Sequence, residues 1–389
     1  MTTPVIAIIG AGPCGLTLAR LLECKGIDYA VYERDESENT NRAGGSLDIH
    51  PETGQRALQE CGLFDAFKKY ARYDDTVLSL LDKSGKQHLQ IGQGRDAPEI
   101  DRKELRQILL DAIPKDKTRW GHTLTGATLG EDGRPVLQFA NGVVVSGFKL
   151  VVGTDGAWSK VRPLLTQATP QYSGKTYLEA RINLDSPLYE TLSKSRGAGT
   201  TISVGSGTPI ITQRQGNGSY RTYFGLPVPA DFFKSGGKVG LQDAEATRGL
   251  LLSDFYADGW SDDHKALIRH ATDFRTWPLY SLSAEDMNWT PVPGATLAGD
   301  AAHLAMPNGE GVNLAMTDAL NLADKIAEHG VENIDLAVRE YEQEMFPRGE
   351  ETISEGKAMT GIMYGEDPQP FVEIFSAFGA GGDGEEGEH

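Results

Sequence analysis

The sequence predicts an α/β protein: a Rossmann-like nucleotide-binding domain, an inserted antiparallel-sheet domain and a C-terminal helical segment. Three observations predict it. The apolar run Val5–Ile9 leads through the glycine turn Gly10-Ala11-Gly12-Pro13-Cys14-Gly15 into a helix-periodic stretch ending at Gly26. After Pro170 the pattern changes to short strand-like pieces separated by Gly, Asn, Ser and Pro. Further on, a second short strand, Thr296–Ala298, ends in Gly299-Asp300 and a long helical stretch follows.

Val5–Ile9 is a continuous apolar run rich in β-branched residues, as a buried parallel strand requires. Leu16–Lys25 has helical periodicity, and Gly26 supplies a C-cap. Tyr29–Tyr32 is the second strand, so the whole is one βαβ unit. Glu52–Tyr70 is predicted as helix. Leu78–Leu81 and His88–Ile91 form a hairpin around Lys83–Lys86, and Asp101–Ala112 is a helix capped by Asp101. Val143–Val145 and Leu150–Gly153 are strands. Thr176–Leu184, Thr200–Gly205, Pro209–Gln215 and Tyr220–Leu226 make the antiparallel sheet. Ala244–Tyr256 and Asp263–Thr272 return to helix. The long helix runs from Gly311 to His329, and a last one starts at Ile334, is interrupted at Pro347 and resumes toward Met363. The domain assignment that follows is discontinuous. Residues 1–77, 98–170 and 273–330 are expected to form the Rossmann-like domain, 78–97 and 171–272 the inserted sheet domain, 331–378 a helical segment, and 379–389 a disordered acidic tail.

The chain has 389 residues, enough for two domains and a sizeable core. Its 37 basic and 55 acidic residues give a net charge of −18, which disfavours a nucleic-acid or anionic-lipid partner. The three cysteines are odd in number and lack metal-ligand spacing, so buried thiols in a reducing compartment are expected, and no metal. No Lys or Arg precedes the first apolar run, glycines break it, and no run reaches the ~18 apolar residues of a membrane span. The expectation is a cytoplasmic protein without stable membrane insertion.

The glycine turn has a specific physical logic. Gly10 permits the tight turn, Gly12 admits a pyrophosphate to the backbone, and Gly15 lets helix and strand approach. The helix N-terminus offers free N–H groups to the phosphates. Glu33, about 20 residues on, sits where a carboxylate accepts from an adenosine ribose hydroxyl. An acid there suits FAD or NAD and disfavours a 2′-phosphate in this site.

Two further motifs narrow the ligand. One is Gly153-x-Asp155-Gly156-x-x-Ser159-x-x-Arg162. The other is Gly299-Asp300-Ala301-Ala302-His303, then Pro307, then Gly309-Glu310-Gly311-Val312-Asn313. With the fingerprint they resemble the group A FAD-dependent aromatic hydroxylases, the single-component flavoprotein monooxygenases, over nearly the whole chain. The tetracycline-inactivating monooxygenases are the most similar branch, through Tyr32–Asp35, Gly44–Asp48, Glu99–Arg102 and Ser159–Arg162.

The resemblance implies a Rossmann-like FAD-binding domain of the GR2 type, with Gly10, Gly12, Gly15, Glu33, Arg34 and Asp155 on the nucleotide side. It implies Asp300 at the ribityl hydroxyls and Arg102 at the ribityl–phosphate region. Asp48, Pro307, Gly311, Val312 and Asn313 would lie about the isoalloxazine, and Arg42 would contact the reduced nicotinamide. Arg102 could instead pair with Asp101 or Glu99, and a solvated loop arginine explains Arg42 equally well. His303 is expected to pack rather than to act as a base, and no residue is assigned a catalytic role. The loop from Pro307 to Gly309 is one residue shorter than the family's, and Glu310 adds a carboxylate.

On the sheet, residues two apart share a face, so Gln213 pairs with Gln215 and Glu179 with Arg181. By family position Glu179, Gln213 and Tyr223 line the substrate cavity, although ordinary polar sheet positions explain them as well. The tetracycline-inactivating enzymes do not carry this set. The implied reaction uses NADPH or NADH and O₂ to hydroxylate a phenolic or polycyclic aromatic small molecule, tetracycline-like or polyketide-like, through a C4a-hydroperoxyflavin, in a monomeric enzyme. Two alternatives stand beside it: a non-hydroxylating FAD-dependent oxidoreductase of the same fold and a non-catalytic flavin-binding sensor. The Trp-x-Trp segment of flavin halogenases is missing.

Overall fold

The computed structural model describes residues 4–40, 44–74, 76–92, 94–234 and 240–380. Arg42 and residues 381–389 of the expected acidic tail lie outside the described residues. The chain forms two compact units. One comprises Met1–Ala71, Arg102–Gln171 and Tyr280–Lys357; the other comprises Arg72–Asp101, Tyr172–Leu279 and Ala358–His389.

The first unit is built on a five-stranded parallel sheet in the order Ala295–Leu297, Leu150–Gly153, Ile6–Ile9, Tyr29–Tyr32, Thr118–Arg119. The central strands are buried on both faces, which is why Ile6–Ile9 and Leu150–Val152 are apolar without alternation. The helix Pro13–Cys24 starts straight after the first strand and packs on the helices Arg102–Asp111 and Gly311–His329. Leu124–Leu129, Pro135–Phe139 and Val144–Val145 form a separate antiparallel meander; the sequence reading found only its last strand.

The second unit is a seven-stranded sheet in the order Thr272–Ser281, Gln171–Ile182, Tyr220–Leu226, Ile210–Arg214, Thr200–Val204, Leu78–Asp82, Gln87–Ile91. Leu178, Ala180 and Ile182 alternate with polar neighbours and face a core that includes Phe224, Tyr256, Trp260, Leu267 and Phe274. The sheet is not antiparallel throughout: Leu78–Asp82 runs parallel to Thr200–Val204.

Other expectations need correction. Glu52–Tyr70 is not one helix but a π-type turn, Pro51–Gln55, running into Arg56–Glu60, then a separate helix, Phe64–Lys68. Gly62 at φ +68° breaks it. Residues Thr272–Ser281, expected to begin as a helix end, are a strand. The last helix is continuous from Ile334 to Met363, with Pro347 inside it. Its neighbours hold it across the proline: Arg348 donates to the Glu344 carbonyl and to Asp318 Oδ1, at 2.9 and 3.0 Å. Gly349 lies so close to Met287 and His303 that a Cβ there would meet Met287 Cε at 2.4 Å. Among the described residues no helix is long and apolar enough to cross a membrane.

That helix also buries Glu342 completely. Its Oε1 accepts from Thr296 Oγ1 at 2.8 Å and Trp289 Nε1 at 3.1 Å, while Oε2 has no hydrogen-bond partner among the described residues. Burial lifts the carboxyl to about 7, against the two hydrogen bonds that favour ionisation. A carboxyl whose pKa is raised by folding gives its full stability below the unfolded value and loses it as pH rises through the folded value. Glu342→Gln is therefore expected to match the parent near pH 5 and exceed its stability by about 1–3 kcal/mol at pH 8. Denaturant unfolding at both pH values checks this; an equal gap at both would show that Glu342 does not titrate.

Candidate cofactor and substrate site

The glycine turn divides its work as the sequence implies. Gly10 stands at φ +108°, and a Cβ on it would lie 2.7 Å from the Thr154 carbonyl oxygen. A Cβ on Gly15 would meet the Gly10 carbonyl oxygen at 2.1 Å. A Cβ on Gly12 would meet nothing within 4 Å, so the backbone there is open to a ligand. Gly12 also begins the helix Pro13–Cys24 without a side-chain cap. An open cradle of backbone N–H groups at a helix start fits a pyrophosphate.

Two buried ionic side chains hold this turn. Glu33 Oε2 accepts from Ala11 N at 2.6 Å, and Oε1 from Asp35 N at 3.0 Å. Arg106 Nε donates to the Ala11 carbonyl at 3.1 Å, and its guanidinium lies over the Trp120 ring. Glu33 is thus a builder of the turn as well as a candidate ribose ligand. Arg34, next to it, is exposed. Sequence reading missed Arg106, although its place on the apolar face with Leu105, Ile108 and Leu109 was a usable signal.

The second and third motifs are tied together by Arg162, which is buried. Its Nε donates to the Ala301 carbonyl at 2.8 Å, Nη2 to the Asp300 carbonyl at 3.0 Å, and Nη1 to the Ala157 carbonyl at 2.9 Å. Ser159 Oγ accepts from the amides of Val161 and Arg162. Asp155 Oδ2 accepts from Lys160 N at 2.7 Å; Oδ1 is buried with no hydrogen-bond partner among the described residues. Burial pushes the Asp155 carboxyl up, against the bonds from Ser159 and Lys160. Asp300 begins a short helix and is exposed. His303 Nε2 lies 2.6 Å from Asp318 Oδ2, which also accepts from Gly299 N at 2.9 Å. His303 is buried in this pair.

Asn313 stitches the start of the long helix to the strand Ser46–Asp48. Its Oδ1 accepts from His50 N at 2.9 Å and its Nδ2 donates to the Asp48 carbonyl at 3.0 Å. Pro307, Gly311 and Val312 stay exposed or half-buried beside it, and Gly309 takes φ +91°. Arg102 is half-buried at the start of the helix Arg102–Asp111, and its Cδ would lie 2.6 Å from a Cβ on Gly44. That contact explains the glycine. Asp101, the expected cap, accepts from Gly216 N and pairs with Arg72 at 3.1 Å.

In the second unit, Tyr177, Glu179, Arg221, Tyr223 and Gln213 share one sheet face, opposite to Leu178 and Phe224. Glu179 is buried; its Oε2 accepts from Trp277 Nε1 at 2.8 Å. Gln213 Nε2 donates to both carboxylate oxygens of Glu99, at 3.3 and 3.2 Å. Tyr223 is half-buried, its ring 5.7 Å from that of Tyr177. Sequence reading missed Arg221, which is only 3% exposed. Its Nη1 lies 3.0 Å from Glu179 Oε1, but off the line of a hydrogen bond. Nε and Nη1 therefore have no hydrogen bond among the described residues, and neither do the hydroxyls of Tyr177 and Tyr364. Arg221 stands two residues before Tyr223 on the same strand, which was the available signal.

The model of the FAD binding domain family matches residues 2–355. Monooxygenase penA of Penicillium thymicola is 32% identical over 403 aligned positions, covering 90% of this chain and 92% of that protein. Klebsiella pneumoniae HpxO, solved with FAD and uric acid, superposes with a TM-score of 0.77 at 23% identity, covering 97% of this chain and 93% of its own. Tetracycline destructase Tet(51) gives 0.70 at 20% identity, with 96% and 94% covered. At these identities the two solved structures speak for the fold.

The glycine geometry separates fold from ligand. Gly15→Ala is expected to cost about 2 kcal/mol or more, since backbone must move. Gly12→Ala should cost under ~1 kcal/mol and weaken FAD binding about tenfold or more. Thermal unfolding of the flavin-free chain, beside titration of FAD fluorescence, checks both. Equal FAD affinity in Gly12→Ala and parent would place the pyrophosphate elsewhere.

Proposed function

The chain belongs to the FAD binding domain family and is an FAD-dependent monooxygenase, and from that premise we propose that it hydroxylates an aromatic small molecule bearing an acidic ring oxygen. The substrate class is phenolic or polycyclic, tetracycline-like or polyketide-like, with NADPH or NADH as reductant and O₂ as oxidant. The observation that carries this reading is Arg221, a buried guanidinium beside Glu179 whose Nε and Nη1 make no hydrogen bond among the described residues. A buried donor without an acceptor is costly, so a ligand oxygen is its natural complement.

When bound, FAD supplies hydride acceptance and oxygen activation. The chain's own residues bind and orient. Gly10, Gly12 and Gly15 receive the pyrophosphate, and Glu33 and Arg34 the adenosine end. Asp155, Arg102 and Asp300 hold the phosphate–ribityl stretch, and Asp48, Pro307, Gly311, Val312 and Asn313 surround the pyrimidine end. There the amides opening the Gly311–His329 helix favour negative charge. Arg42 is carried as the contact to the nicotinamide nucleotide. On the sheet face, Arg221 favours the ionised form of a phenol, which makes its ring more reactive toward an electrophilic oxygen. Glu179, Gln213 and Tyr223 fix its orientation, and Glu179 anchors Arg221.

The FAD-loaded enzyme should oxidise NAD(P)H faster with a phenolic substrate present and place one atom of ¹⁸O₂ in the product. Arg221→Met is expected to lower kcat/KM by about 30- to 100-fold, the loss of one charge-assisted bond, with FAD affinity unchanged. Arg221→Lys, which keeps a charge for Glu179, should recover part of it. A product without ¹⁸O points instead to a non-hydroxylating oxidoreductase, and an unchanged kcat/KM in Arg221→Met removes the acidic-oxygen reading.

A further inference from the structure

His50 is not accounted for by any of the roles above. Its Nε2 lies 2.9 Å from Asp48 Oδ2, and its Nδ1 lies 3.1 Å from Glu310 Oε1. An ionised carboxylate only accepts, so both ring nitrogens must donate, and an imidazole with two N–H groups is the cation. The three side chains come from distant parts of the sequence. Asp48 ends the strand Ser46–Asp48 and His50 follows it, and Glu310 immediately precedes the helix Gly311–His329. The two amide bonds of Asn313 join the same places.

The cluster holds two carboxylates against one cation. A third carboxyl, Glu355, feels Glu310 as well; burial, Glu351 and Glu310 all raise it. Burial pulls the His50 imidazolium down, but the bonds to Asp48 and Glu310 outweigh it and raise the group to about 9. The imidazolium therefore stays charged at neutral pH. A carboxylate at the N-terminus of a long helix uses up part of the positive field that the helix offers an anion. In this chain Glu310 is that carboxylate, and His50 is its counter-charge.

We propose that His50 is a positioning residue of the cofactor site, whose imidazolium holds Glu310 against Asp48 and offsets one of their two negative charges, so that the opening of the Gly311–His329 helix remains favourable to the anionic reduced flavin. The proposal rests on the reading that this helix start faces the pyrimidine end of the isoalloxazine. Its consequence is a sign. Removing His50's charge leaves two carboxylates at the helix start; removing Glu310's leaves a neutral pair.

The test is the midpoint potential of the bound flavin, measured by dye-coupled reduction of FAD-loaded enzyme, beside the FAD dissociation constant. His50→Gln is expected to lower the potential and Glu310→Gln to raise it. Each change should be about tenfold in the ratio of affinities for reduced and oxidised flavin, ~30 mV for a two-electron couple. Shifts in the same direction overturn the proposal, because a purely structural clamp would fail alike from either side. If neither variant moves the potential or the FAD affinity, the helix start does not face the flavin, and the reading beneath the proposal falls with it. Where His50→Gln fails to hold FAD, Glu310→Gln decides alone: a raised potential supports the charge role, and an unchanged or lowered one overturns it.

Discussion

Arg162 is the interaction on which the cofactor side of the structure depends. Three of its N–H groups reach the backbone carbonyls of Ala157, Ala301 and Asp300. Those carbonyls belong to two motifs that lie far apart in the chain. The strands before them, Leu150–Gly153 and Ala295–Leu297, are parallel neighbours, and each leads into a turn. The guanidinium fork satisfies both turns at once, and its planar geometry fixes their spacing. Arg162 is thus a structural cation inside a binding motif, and it leaves the Asp300 carboxylate outward and exposed.

The same device recurs around the first glycine turn. Glu33 accepts from the Ala11 amide and Arg106 donates to the Ala11 carbonyl, so one residue of the turn is held by a buried anion and a buried cation. Turns that must offer bare amides to a ligand cannot satisfy themselves with regular secondary structure. Charged side chains from neighbouring elements supply what is missing, and each is placed where it serves backbone first. Asn313 does this for the third turn with a neutral amide.

This explains which parts were legible in the sequence. Gly10, Gly12 and Gly15 are constrained by local geometry alone, so their spacing carried the reading, and so did the helix bounded by Gly311 and Gly330. Alternation exposed the polar face of the second sheet through Glu179 and Gln213. Arg106 and Arg221 escaped because a lone arginine looks solvated until tertiary packing encloses it. The strand Thr272–Ser281 escaped because Thr-Asp-Phe-Arg-Thr-Trp carries no turn signal to separate it from the helix before it. Pro347 misled for the opposite reason. A proline is a strong local breaker, and tertiary contacts such as the bond of Arg348 to Asp318 and the close seat of Gly349 override it.

The polar sheet face shows why substrate identity is harder to read than cofactor identity. The glycine turn is built by backbone, whose demands are written as glycines at fixed spacing. The polar face of the second sheet is assembled by side chains from separate strands, whose positions follow from register: Glu179 opposite Tyr223, and Arg221 opposite Gln213. A one-residue slip in register would turn every one of these groups into the core. The apolar partners on the other face, Leu178 and Phe224, prevent that slip by burying completely. The chemistry that the polar face presents is therefore set by the hydrophobic half of the sheet. Of the polar half, Arg221 stands out: it is buried beside Glu179, and its Nε and Nη1 make no hydrogen bond among the described residues.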